Sequence, residues 1–392
     1  MKKLYCISLL LCLFFVSKIA IGQIWTQKAN FADSTNGAVG FSIGAKGYIL
    51  SGDTSHSFYE WDQATNTWTR KADFPSTGTG TGGVGFSIGT KGYIVTGDIG
   101  QEFWEWNQAT NIWTQKANFE GASRDAAVGF SIGNKGYVGT GGGHSSNLND
   151  FWEWNQSTNT WTQKADFGGT ARFSAIGFSI GTKGYIGTGN DGMLPNPVQS
   201  DLWEWDGDIA SPTYNTWTQK ANCGGGITQS AVAFSIGTLG FICRGMTHDF
   251  WEWDQSTNTW SPKTNFGGVV RYYAVGFSIG NKGYIGTGQD YNNNLLRDFW
   301  EYSDTTVGVN EITYLQNMAV YPNPANDKIY IERSNNNAME VNLFDLLGNK
   351  VFTIMTSKNK NTEIDVSGIN KGVYILKITI NNNSLNKKVV IE

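Results

Sequence analysis

Residues 127–167 read AVGFSIGNKGYVGTGGGHSSNLNDFWEWNQSTNTWTQKADF, and most of the chain is further copies of this stretch. The GFSIG core begins at Gly40, Gly85, Gly129, Gly177 and Gly276, and the variant AFSIG at Ala233 makes a sixth copy. Self-similarity at this period is the mark of a repeat architecture. Within one copy, four strand-like runs can be read: 127–132, 137–140, 151–154 and 160–165. Gly133-Asn134-Lys135-Gly136 has hairpin composition, and 155–159 has turn composition. Aromatic and β-branched residues fill the runs, and no 3.6-residue apolar period survives the glycines, so the reading is all-β.

A four-stranded sheet of this size cannot bury its own faces. Six of them stacked around an axis cover one another, which is a β-propeller. All sixteen tryptophans lie between Trp25 and Trp300, and Trp104, Trp106 and their counterparts are expected to wedge between neighbouring blades. An aromatic side chain buries roughly 150–250 Å², so at about 25 cal/mol/Å² each contributes several kcal/mol as an upper bound.

Arg124, Ala127, Gly136-Tyr137, Gly141-Gly142, the aromatic–acid pairing near Trp154, and Trp161 follow the order and spacing of a kelch repeat. Residues 23–304 therefore resemble a six-bladed kelch propeller. The rival WD40 pattern has literal Trp-Asp pairs at Trp61-Asp62, Trp205-Asp206 and Trp253-Asp254. It also wants a recurring Gly-His pair, and Gly143-His144 stands alone. The chain departs from kelch where Thr-Gly or Ser-Gly replaces the glycine doublet, and where blades one, two and five lack the arginine.

The chain opens with Met1-Lys2-Lys3, an apolar run from 4 to 16, and Ala20-Ile21-Gly22. This is the pattern of a secretory signal peptide over 1–22, too short to span a bilayer comfortably. No other apolar segment is long enough to be transmembrane. Residues 24–29 are a fourth strand without its first three, and 299–302 a third strand without its fourth. The expected repair is ring closure, the first strand completing the last blade and removing an open edge. Strand polarity then puts two kinds of connection on each face. First-to-second and third-to-fourth turns are nearly uniform, apart from an insertion at 207–214. Second-to-third loops and blade crossings vary, so the variable face is the expected site of function.

On that face Arg124, Arg172 and Arg271 precede the innermost strands of blades three, four and six, with Asp125, Phe173, Tyr272 and Tyr273 beside them. Convergent guanidinium groups with aromatics suit a carboxylate, phosphate or sugar. The alternative is that each arginine ties down its own blade crossing. His56, His144 and His248 fall in alternate blades, too far apart for the roughly 2 Å bonds of zinc. Asp191 and Asp290 offer hard oxygens for calcium, without a repeated ligand spacing. The glutamates at 60, 105, 153, 204, 252 and 301, one per blade, read as scaffold pairing with lysines such as Lys116 and Lys164. No cofactor or metal is expected. Cys223 and Cys243 replace a phenylalanine and a glycine of neighbouring copies and suggest a disulfide in an oxidising compartment.

After a linker at 305–316, residues 317–392 lose tryptophan and gain asparagine and lysine. Roughly seven alternating strands suggest a small Ig-like β-sandwich. Tyr321-Pro322-Asn323-Pro324-Ala325, then 341–348, 372–378 and the terminal Lys388-Val389-Val390-Ile391-Glu392 resemble the type A sorting domain of type IX secretion. That resemblance implies the type IX machinery as partner and export to the outer surface of a Gram-negative cell, or release from it.

The region 23–309 holds 17 basic and 25 acidic side chains, near −8, and the remainder after it is near +1. Nucleic acid, which wants a basic face, is disfavoured. The expected product is a secreted, monomeric, non-catalytic binding propeller for a glycan or surface protein. Among kelch propellers are a copper radical oxidase and a sialic acid epimerase. Too few histidines converge here for the first. An epimerase-like site on the three arginines and a structural role in the surface or matrix stay open as alternatives.

Overall fold

The computed structural model describes residues 24–392 apart from 53–54, 196, 304–317, 333–338, 346–348, 357–360 and 381–382. The signal-peptide and linker readings lie outside the described residues. Every regular element described beyond a single 3₁₀ turn at Gly97–Ile99 is a strand.

Each repeat forms one four-stranded antiparallel sheet in simple up-and-down order. In sheet three Val128–Ile132, Lys135–Gly139, Phe151–Asn155 and Thr160–Gln163 are neighbours in that order. The first strands of sheets one, two, four, five and six are Val39–Ile43, Val84–Ile88, Ile176–Ile180, Val232–Ile236 and Val275–Ile279. Sheet six closes as expected. Ile24–Gln27 lies antiparallel to Phe299–Ser303, with Trp25 opposite Tyr302 and Gln27 opposite Trp300.

The glycines of the repeat explain how closely the sheets stack. A Cβ on Gly129 would lie 2.0 Å from a Val84 methyl of the preceding sheet, and one on Gly136 would lie 2.3 Å from the Phe86 ring. Only glycine admits that approach. The same contacts carry the stack round to its start, since a Cβ on Gly40 would lie 3.0 Å from Val275 and one on Gly47 would lie 2.6 Å from the Phe277 ring. The six sheets are thus a closed, propeller-like cycle with an apolar core in each gap. Between sheets six and one that core joins Val275, Phe277, Tyr284 and Phe299 to Phe31, Ile49 and Trp61.

Tryptophan both fills and fastens the gaps. Trp61, Trp106, Trp154, Trp205 and Trp253 are wholly buried. Trp154 packs on Tyr93 and Phe103 of the sheet before it, with ring centres 5.0 and 4.8 Å away. Its indole N–H donates to Asn159 at 3.3 Å, whose same oxygen accepts the Ala117 amide of the preceding sheet at 3.2 Å. Trp161 donates to the Ala117 carbonyl at 3.2 Å. The same three-point fastening recurs at Asn66, Asn111, Asn215 and Asn258.

The C-terminal region forms a three-stranded sheet (Ala319–Tyr321, Lys328–Glu332, Asn361–Asp365) and a four-stranded one (Met339–Phe344, Lys350–Thr356, Gly372–Ile380, Asn383–Ile391). Ile329, Ile331, Val341, Leu343, Ile364, Leu376 and Ile378 share one buried core between them. The Tyr-Pro-Asn-Pro-Ala run clamps the last strand. Asn323 donates to the Lys388 carbonyl at 3.0 Å and accepts the Val390 amide at 2.8 Å, and Ala325 exchanges backbone bonds with Val390 and Glu392.

Candidate functional site

The three arginines of the variable face are not a convergent ligand site. Arg124, Arg172 and Arg271 are 2%, 1% and 4% exposed. Each grips an aspartate of its own sheet with two nitrogens: Arg124 to Asp150 at 2.6 Å twice, Arg271 to Asp298 at 2.8 and 2.6 Å, and Arg172 likewise to Asp201. Each also donates to a carbonyl after the second strand, that of Thr140, Thr188 or Thr287, and lies over a phenylalanine ring: Phe119, Phe167 or Phe266. The aspartate accepts an indole N–H as well, from Trp152, Trp203 or Trp300. Burial pushes Asp150 and Asp298 upward, but the hydrogen bonds and charge of Arg124 and Arg271 outweigh it and hold both carboxyls below their ordinary value. The arginines tie down the crossings, and an incoming ligand has no access to them.

Sheet five explains its missing arginine. Thr228 stands where sheets three, four and six have it, and Arg244 stands where those three have Thr140, Thr188 and Thr287. Arg244 reaches Asp249, the counterpart of Asp150, at 2.7 Å. The disulfide expectation is corrected here too, since Cys223 and Cys243 are free buried thiols. Successive strand residues face opposite sides. Cys223 packs with Ile242 in the gap between sheets four and five, while Cys243 packs with Phe250 in the gap between five and six, so the sheet separates them.

The glutamates are scaffold. Glu153 takes Lys135 at 2.8 Å, Lys164 at 3.3 Å and the Tyr137 hydroxyl at 2.8 Å. Lys116 and Lys164 pair as read from the sequence. His56 and His248 bond the Phe74 and Phe266 carbonyls at 3.1 and 3.2 Å; His144 and His248 are exposed and His56 is half-buried. Asp191 and Asp290 accept from the amides of their own turns, Met193 for the first and Asn292 and Asn294 for the second.

What remains on this face is the mouth of the axial channel. The channel is a cavity of about 160 Å³ whose wall is the opening triplet of each repeat, Ala-Val-Gly or a close variant, so it offers backbone and small side chains. Just above lie Gly37, Gly82, Ala126, Ser174, Ser230 and Tyr273, all left-handed, with φ between +48° and +70°. They hand a backbone hydrogen bond round the ring: Gly37 to Tyr273, Gly82 to Gly37, Ala126 to Gly82, Ser174 to Ala126 and Ser230 to Ser174, at 2.9–3.1 Å. A tyrosine in this conformation is strained, and five repeats use something smaller.

The preceding residue of each copy supplies a second ring: Asn36, Thr81, Asp125, Phe173, Gln229 and Tyr272. Amides bridge adjacent repeats, Asn190 to Gln229 at 2.7 Å and Asn36 to Gln289. Asp125 is exposed, beside Gly82 and Gly142. Tyr272 meets Tyr291 edge-on at 5.2 Å and Tyr273 at 6.4 Å. Burial and the neighbouring Tyr291 push the Tyr272 phenol up to about 12. Tyr273 and Tyr291 are 48% and 59% exposed. Of the residues anticipated here, the structure brings Asp125, Phe173, Tyr272 and Tyr273 to the mouth and removes the arginines. Asn36, Asn190, Gln229, Gln289 and Tyr291 were missed. Aligning the six copies one residue before the left-handed position would have found the first ring of them.

Comparison with known proteins bears on both regions. Residues 319–392 match the family described as the secretion system C-terminal sorting domain. The chain carries a type IX export signal. The protein is therefore secreted or displayed at the cell surface through that system. A stretch of 89 residues is 30% identical to the ulvan lyase NLR42 of Nonlabens ulvanivorans, covering 23% of this chain and 16% of that protein's length. The solved structure of YjhT superposes with a TM-score of 0.59 at 15% identity, over 69% of this chain and 95% of that one. That likeness concerns the fold alone. Among the described residues no helix is long and apolar enough to cross a membrane.

Proposed function

We propose that residues 23–304 are a six-bladed kelch-type propeller that binds a glycan at the mouth of its channel without transforming it, and that 317–392 direct its export and fold as an Ig-like sandwich. The observation that carries this reading is the division of labour among polar residues. The buried arginines and glutamates are bonded within the scaffold, while amides, a carboxylate and exposed tyrosines gather at one mouth. Tyrosine and amide side chains are the groups that suit a sugar, one offering an apolar face and the other paired donors and acceptors. The stretch shared with an ulvan lyase is compatible with a carbohydrate setting. An epimerase-like reading loses its basis with the arginines buried.

A surface protein as ligand is the second reading. Leu194, Met193 and Ile227, in variable loops, are 88%, 58% and 55% exposed, and exposed apolar patches mark protein contacts. Probing the secreted full chain against immobilised oligosaccharides and against extracted surface proteins separates the two. Binding to oligosaccharide that Tyr291→Ala abolishes supports the first reading. Turnover of a bound sugar would replace binding by catalysis.

A further inference from the structure

Resting on the glycan reading, we infer that the mouth selects an uncharged sugar and rejects ligands bearing carboxylate, phosphate or sulfate. The argument is from charge and position. The twelve positions of the two mouth rings hold no lysine, arginine or histidine. Their one carboxylate is the exposed Asp125.

The guanidinium groups nearest the mouth are already committed. Arg124, Arg172, Arg271 and Arg244 are each bonded to an aspartate. The exposed Arg297 belongs to the outer end of its loop, where its carbonyl accepts the Phe31 amide. The lysine ammonium groups at the second and fourth strands are held against Glu105, Glu153 and Glu301, and their equivalents. An anionic group entering the mouth would meet a carboxylate and no counter-charge. Desolvating an unpaired anion is costly, and a like charge adds to that cost.

A neutral sugar meets the opposite situation. Its hydroxyls donate to Asp125 and exchange bonds with Asn36, Gln229 and their amide partners, and its apolar face suits Tyr273. Tyr273 is the one large side chain on the inner ring, where the other repeats carry glycine, alanine or serine. Backbone strain at this position is retained together with a half-exposed ring.

The test uses the secreted full chain against two matched sets of oligosaccharides, neutral hexose oligomers and oligomers carrying carboxylate or sulfate. Binding of neutral oligomers, with acidic ones at least tenfold weaker, is expected. Tyr273→Gly should weaken neutral binding about tenfold while leaving the melting temperature unchanged or raised, because Gly37 and Gly82 occupy the same conformation in their own repeats. Asp125→Asn should narrow the gap between the two sets. Preferred binding of acidic oligomers, or a gap that Asp125→Asn leaves unaltered, overturns the inference and keeps the glycan reading. Binding of neither set removes the glycan reading itself, and this inference with it.

Discussion

Arg244 meets Asp249 at 2.7 Å from the end of the second strand, whereas Arg124 meets Asp150 from the blade crossing. The ion pair is kept and its cation is supplied from the other side. Four of the six sheets thus place a guanidinium against the carboxylate that precedes the third strand, and two different backbone positions serve the purpose. The pair, rather than either residue, is what the architecture requires.

Exchange in sheet five follows from this. Arg244→Thr should cost about 2 kcal/mol, the scale of a charge-assisted hydrogen bond lost from a shielded site. Adding Thr228→Arg together with Cys223→Phe rebuilds the arrangement of sheet three and should recover most of the loss. Urea denaturation of the single and combined variants measures it, and a combined variant no better than Arg244→Thr would refute equivalence of the two positions.

Arg172→Ala should behave as a folding lesion. Asp201 would be left in a largely enclosed site without its partner, a loss of about 3–5 kcal/mol. Thermal unfolding should show a large drop, and ligand binding measured well below the new midpoint should be close to that of the unaltered protein.

Asn159 links two sheets through a single oxygen that accepts from Trp154 and Ala117. Asn159→Gly keeps the left-handed backbone available and removes the acceptor, for an expected cost of about 1–2 kcal/mol. Asn159→Ala should be worse by about 1 kcal/mol, because alanine resists that conformation. The order of the two variants in chemical denaturation is the check.

Acid should act through the buried carboxylates. Burial raises Asp150, Asp298, Glu153 and Glu301, yet the arginine, lysine and tyrosine donors around them leave all four depressed. A depressed folded value means stability fully present above the unfolded value of about 4 and lost as pH falls through the lower folded value. Unfolding free energy should therefore be insensitive to these groups from neutral pH to about 5 and fall steeply below about 4. Denaturation curves across that range test the sign.

Trp25 fastens the closing strand, with ring centres 5.0 Å from Phe250, 4.9 Å from Phe266 and 5.2 Å from Tyr302. Trp25→Ala should cost about 3 kcal/mol. It should also promote association through the loosened edge of sheet six, seen as a concentration-dependent rise in sedimentation.

Repetition made the sheets, the closing strand and the role of the glutamates legible, because six aligned copies separate what the scaffold needs from what varies. The arginines stayed between a ligand site and a tie-down of the crossing, because their partners lie in the variable loops. The clue was present, as Asp150, Asp201 and Asp298 occur in the same three copies as Arg124, Arg172 and Arg271. Cys223 and Cys243 looked like neighbours along the chain, but strand alternation sends Cys243 and Ile242 into different gaps. The mouth was hidden for another reason. Asn36, Gln229 and Gln289 are ordinary loop residues one at a time, and only closure of the cycle gathers them.

The pairing of Trp25 with Tyr302 joins residues from opposite ends of the repeat array. A chain still being synthesised has nothing yet for its leading segment to dock on, so the circle can be sealed only after synthesis has passed the sixth repeat. Any product that stops early keeps an unsealed flank and a displaced leading segment. A copy truncated before the sixth repeat is thereby left with an open sheet edge, the kind of surface that pairs with other chains.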